Sequence, residues 1–112
     1  MSPTVTDEQI RELAATTQPY SLALLTWGPD RHQEGSDAIE LEHQRRMVQL
    51  RQDGVILVLF PVLSDTAAGV ALIDRPADEA EGIMADDPCV QAGMLVCEVH
   101  PCRAFPGDAV PG

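Results

Sequence analysis

Basic residues are scarce in this chain of 112 residues: Lys and Arg together number 7 against 18 Asp and Glu, for a formal net charge of −11. Such a field repels a phosphate backbone and an anionic bilayer, so neither nucleic acid nor a membrane surface is an expected partner. Aromatics are equally few, with one Trp, one Tyr and two Phe, and the core must therefore be mostly aliphatic. No apolar run approaches the roughly 20 residues that span a bilayer. The cysteines, Cys89, Cys97 and Cys102, are odd in number and form no C-x-x-C, and the opening MSPTVTDEQIRE has no apolar signal core. These features predict a cytoplasmic protein with reduced thiols. G-x-G-x-x-G, the P-loop and G-x-S-x-G are all missing, so dinucleotides, nucleoside triphosphates and serine-hydrolase chemistry have no support, and no cofactor is expected.

What is present is organised around Ser36 to Leu63. Ser36 and Asp37 offer N-cap oxygens, and Glu40 three residues after Asp37 completes a D-x-x-E capping box, which predicts a helix start. Ile39, His43, Met47 and Leu50 then fall on one helical stripe, which puts a histidine on an apolar face. Glu40 and Glu42 lie off that stripe and read as solvated. Gly54 is placed to end the helix in a left-handed conformation, and the apolar run Val55 to Phe60 reads as a strand.

The rest of the chain fills in around this unit. Thr6 and Gln9 have capping-box spacing ahead of a small amphipathic helix at 7–16, ended by Thr16, Thr17 and Pro19, of the kind that covers a surface or an edge. Tyr20 to Trp27, bounded by Gly28-Pro29-Asp30, is the first strand, and Val70 to Asp74 closes a hairpin with the second. Pro76 opens another helix at N1, Asp86-Asp87-Pro88 breaks it, and Met94 to His100 is the last strand before an irregular tail beginning at Pro101. The order β-α-β-β-α-β predicts an α+β, ferredoxin-like domain over 20–105, a four-stranded antiparallel sheet with its helices on one face. An N-terminal extension occupies 1–19 and a flexible tail 106–112.

This topology leaves the second sheet face open to water, whereas the strand from Val55 to Leu59 is apolar at every position. A strand apolar on both sides should be covered on both, and a second copy of the chain, sheet against sheet, is the simplest cover. A homodimer is expected.

Two runs carry a resemblance. Glu42-His43-Gln44 through Leu50-Arg51-Gln52-Asp53-Gly54-Val55-Ile56-Leu57, and Ala85-Asp86-Asp87-Pro88-Cys89-Val90-Gln91-Ala92-Gly93, are similar in order and spacing to the YciI-like (YCII-related) family between about Tyr20 and Phe105. The resemblance implies a dimeric α/β barrel of ferredoxin-like subunits with a pocket between helices and sheet, and an active pair at His43 and Asp87. Relatives with known roles are cofactor-free enzymes acting on small ring compounds, a dehydrochlorinase among them. Phe60-Pro61 departs from the family's Gly-Pro, and Cys89 stands where an aromatic follows Asp-Pro, so the resemblance does not fix the substrate.

An imidazole is a natural proton shuttle near neutral pH, and a carboxylate on one ring nitrogen fixes the tautomer so that the other can accept a proton. Asp87, held at the helix break by Pro88, is the candidate carboxylate; the competing reading of His43 is a core-edge histidine bonded to a backbone carbonyl. Arg31 and His32 lie where they could bind an anionic substrate group, the competing reading being a hydrated loop. Trp27, Met47, Phe60 and Met84 could shape a pocket. Cys97 should face away from His100 and Cys102 on a strand, so no metal site is expected there. Cys89 beside Asp87 reads as a small buried hydrophobe rather than a reactive thiol. The first expectation is therefore a cofactor-independent enzyme that moves a proton on a small cyclic or carbonyl compound by isomerisation, elimination or cyclisation. The alternative is a non-catalytic dimeric ligand-binding or accessory module.

Overall fold

A computed structural model of the chain describes residues 4–108 and 110–112; Met1 to Pro3 of the expected extension and Ala109 of the expected tail lie outside the described residues. In chain order the elements are α1 (Asp7–Ala15), β1 (Gln18–Trp27), α2 (Ser36–Gln52), β2 (Ile56–Pro61), β3 (Ala67–Ile73), α3 (Ala77–Ala85), α4 (Pro88–Gln91) and β4 (Leu95–Ala104). The strands form one sheet in the order β2-β3-β1-β4, antiparallel throughout. This is the ferredoxin-like α+β arrangement, with α1 added ahead of it.

Helices α2, α3 and α4 cover one sheet face. Met47 of α2, Ala80 and Met84 of α3 and Cys89 of α4 pack with Ala23, Leu25, Ala71 and Ile73 of the central strands in a single buried cluster. Its largest sealed members, Ile56, Ile73, Met84 and Met94, are aliphatic or thioether side chains, each contributing about 1.5–3 kcal/mol on leaving water. The stripe Ile39, His43, Met47, Leu50 faces this cluster, with Met47 buried and the other three half-buried.

Local signals differ from the expected ones in three places. Helix α2 begins two residues earlier than the D-x-x-E box requires: Gly35, at φ 78°, is the N-cap in place of Asp37, and no side chain caps the helix. Ser36 N–H instead donates to the Gln33 carbonyl, so the chain enters the helix from a turn, and Asp37 lies in the first turn, where its charge suits the positive helix end. The irregular tail does not begin at Pro101, because β4 continues to Ala104 in register with β1 down to Gln18. β4 is an edge strand, where a proline nitrogen need not donate to a neighbour. The strand at Val55 to Phe60 also lies on an edge, and Leu57 and Phe60 are exposed in the single chain. The C-terminus of α2 follows the sequence: Asp53 caps it and Gly54, at φ 76°, turns the chain into β2.

Candidate active site

The site is built where α2 crosses the loop between α3 and α4. Asp86, still helical in its dihedrals, caps the end of α3, and Pro88 at N1 forces Asp87 into an extended conformation and starts α4 with Asp87 as its N-cap. The Asp87 Oδ2 accepts the backbone N–H groups of Cys89 at 3.0 Å and Val90 at 3.3 Å. These bonds hold the carboxylate inward, and the residue is fully buried.

A buried carboxylate needs partners, and α2 supplies them. His43 Nδ1 lies 2.8 Å from Oδ1 and 2.9 Å from Oδ2. One turn on, Arg46 Nη1 stands 3.8 Å from Oδ1 while its Nη2 donates to the Ile83 carbonyl at 2.6 Å. Arg46 Nη1 is itself buried with no hydrogen-bond partner among the described residues, so its interaction with Asp87 is one of charge. A carboxylate oxygen accepts, so the pairing favours the tautomer with its proton on Nδ1, in which Nε2 is the acceptor.

His43 lines a cavity of about 510 Å³ between α2 and the sheet, within the roughly 300–1,000 Å³ common for small-molecule sites. Trp27, Met47, Phe60, Cys89 and Leu95 are among its walls, so the lining is mostly apolar. Asp87 is not a lining residue and meets the cavity only through the imidazole. Trp27 is fixed by an Nε1 bond to the Ser64 carbonyl at 3.2 Å. The Arg31 guanidinium sits 3.7 Å from the centre of its ring, a cation–π contact. Neither Arg31 nor His32 lines the cavity, and His32 is exposed. Met84 is sealed in the core instead of lining the cavity.

The strand end carrying Trp27 is locked to the segment after Asp87. Gly28 N–H donates to the Met94 carbonyl at 2.7 Å, and a Cβ on Gly28 would lie 2.3 Å from the Gly93 carbonyl oxygen. Only glycine permits that approach. Gln33 adds a side-chain bond to the Ala92 carbonyl at 2.8 Å.

Two residues at the site did not stand out in the sequence. Glu40 lines the cavity half-buried and is not solvated as expected; it lies three residues before His43, hence on the same helix face one turn away. Arg46, three residues after His43, follows the same rule. Glu42 is exposed, 3.4 Å from Arg45.

Among the described residues, His43, Asp87 and Cys89 bring potential metal-ligand atoms within 4.8 Å of one another. The donor set fits a cation poorly. The Asp87 oxygens already take an imidazole and backbone N–H groups, and the Arg46 charge stands beside them. The Cys89 thiol is pushed up to about 11 by burial and by the Asp87 and Glu40 charges, which keeps it protonated and poorly nucleophilic at neutral pH. Burial, with the Asp87 and Glu98 charges, also raises Cys97 to about 11. Cys97 packs toward the core, while His100 lies exposed on the opposite face, 3.3 Å from Glu98. No helix among the described residues is long and apolar enough to cross a membrane. No family model matches the chain, and no curated protein matches it.

Proposed function

We propose that this chain is a YciI-like, cofactor-independent enzyme in which His43 Nε2 takes or relays a proton on a small, largely apolar cyclic or carbonyl compound. The observation that carries this reading is the pairing of His43 Nδ1 with a fully buried Asp87 carboxylate at the wall of an apolar cavity. Asp87 orients the ring and stabilises the imidazolium formed when Nε2 accepts a proton. Apolar walls exclude water and so strengthen the electrostatic interaction of His43 with the substrate. Glu40, on the same wall, is the second group able to pass a proton. Isomerisation, elimination and cyclisation all begin with such a step.

The working unit in this reading is a homodimer. Leu22, Leu24, Val70 and Leu72 alternate with the helix-facing residues and lie half-buried on the uncovered sheet face, where the register places Leu22 beside Leu72 and Leu24 beside Val70. A second sheet would seal that strip.

The test starts from a native mass-spectrometric screen of small cyclic ketones, lactones and enols. Ligands found are then followed by NMR for exchange of C–H protons with deuterated water. Wild-type protein should catalyse exchange, and His43→Gln should lose about 10²–10⁴-fold of it while its urea midpoint stays close to wild type. Full exchange by His43→Gln would sink the assignment, and leave a binding module.

A further inference from the structure

Helix α1 has no buried residue. Its capping box is complete, with Gln9 N–H on Thr6 Oγ1 at 3.1 Å and Thr6 N–H on Gln9 Oε1 at 2.9 Å. Yet Val5, Ile10 and Leu13 are 64%, 58% and 56% exposed. A helix of 9 residues is marginal in water without tertiary packing, and caps contribute only about 1 kcal/mol each. No described residue of its own chain gives it such packing. The chain is correspondingly elongated, with a Cα radius of gyration of 16.7 Å against about 13 Å for a compact domain of this length.

The root of α1 is held firmly. Thr17 Oγ1 donates to the Ala14 carbonyl at 2.8 Å, and Arg103 binds Thr17 twice, through Nε to Oγ1 and Nη2 to the carbonyl, each at 2.8 Å. The helix is therefore carried on the far end of the β1–β4 ribbon, at the Gln18–Ala104 pair.

A groove of about 850 Å³ lies on the uncovered sheet face, between β2 and the chain's own tail at Phe105 to Asp108. Tyr20, Leu57, Val58 and Leu72 line it, with Arg51 and Arg103 as its basic groups and Asp108 as its acid. The charge of α1 is opposite: Asp7, Glu8 and Glu12 against Arg11. In a chain with so few basic residues, two arginines beside one apolar groove make a match for an acidic amphipathic helix. The groove also adjoins the strip proposed above as the dimer face, sharing Leu72 and its cross-strand neighbour Val58.

We infer that α1 is an exchanged arm: Ile10 and Leu13 of one copy seat in the Tyr20–Leu57–Val58 groove of a second copy, and the second copy returns the contact. A two-fold pairing makes each exchange occur twice, so the apolar surface of both helices is removed from water. This rests on the self-pairing proposed for the outer sheet face and adds a second, separable contact to it.

Sedimentation velocity and amide hydrogen exchange on the full chain test the exchange together. At 50 µM the wild type should be dimeric with α1 amides protected, and protection should fall on dilution through the dissociation constant. Ile10→Asp with Leu13→Asp, on residues exposed in the single chain, should weaken the dimer at least tenfold. Leu57→Asp in the groove should release α1 amides to the same degree, with β1 and β3 amides unchanged in all variants. A wild-type dimer with α1 exchanging as a free peptide would overturn the arm and leave the sheet pairing standing. So would α1 protection that survives Leu57→Asp, or that arises only when phosphatidylcholine vesicles are added. A monomer at 50 µM would overturn both.

Discussion

The two faces of the sheet are covered to different degrees, and the contrast explains what each is for. Under the helices stand Ser21, Ala23, Ala71 and Ile73, all fully buried, with Leu25 nearly so. On the far face stand Leu22, Leu24, Val70 and Leu72, as apolar as their neighbours but only half-buried. Burial in this chain follows coverage more than hydropathy: Asp87 is sealed while Leu63 is 98% exposed. The helix-covered face can therefore hold a charged pair at a defined place, because its volume is already allotted. The far face has apolar side chains to fill a space that the single chain leaves empty.

Substitutions on the two sides should separate them. The largest structural effect belongs to Asp87→Ala, which removes the cap of α4 and strands His43 and Arg46 at once. Unfolding in urea should show a loss of about 3 kcal/mol, since one partner of a buried charge pair is deleted. Asp87→Asn keeps a capping oxygen but not the charge; it should lose less stability yet still impair proton exchange, and equal behaviour of the two variants would contradict an orienting role for the carboxylate.

Ala23→Leu and Leu24→Asp sharpen the contrast on adjacent residues of one strand. The first overpacks the sealed side and should cost about 1–3 kcal/mol by the same urea measurement. The second should leave monomer stability within about 1 kcal/mol of wild type and instead raise the dimer dissociation constant by tenfold or more in sedimentation. If Leu24→Asp unfolds the monomer, the far face is not the free surface described.

The smallest expected effect is a slope. Cys89 and Cys97 are both raised by burial, from an ordinary 9.0 to about 11. The folded state thus favours the protonated thiols, and the stability they contribute is complete below about pH 9 and declines as pH rises toward 11. Urea midpoints at pH 8, 9 and 10 should fall in that order, and Cys89→Ala with Cys97→Ala should flatten the fall.

Much of the fold was legible in the chain because its signals are local. The Thr6–Gln9 box, Gly54 and Pro88 each act within a few residues, and each marks an element boundary in the structure; Pro76 marks one too, but as the N-cap of α3 and not at N1. The inward stripe of α2 was legible for the same reason. The site was less so: the 2.8 Å contact of His43 with Asp87 joins residues 44 apart, a distance that periodicity does not reach, and Asp87 was proposed from its proline and from resemblance. Glu40 reads as solvated in the sequence because an apolar stripe counts only hydrophobic residues, whereas a cavity wall admits any side chain on the correct turn. Pro101 reads as a stop in the sequence because its role depends on β4 being an edge, which is a property of the sheet and not of the strand.

The sole tryptophan of the chain, Trp27, stands in the wall of the cavity that His43 faces, with a guanidinium stacked on its ring. Its ultraviolet emission is therefore a built-in occupancy gauge: a guest entering the hollow alters the surroundings of the one indole present, and its arrival can be timed without attaching a dye.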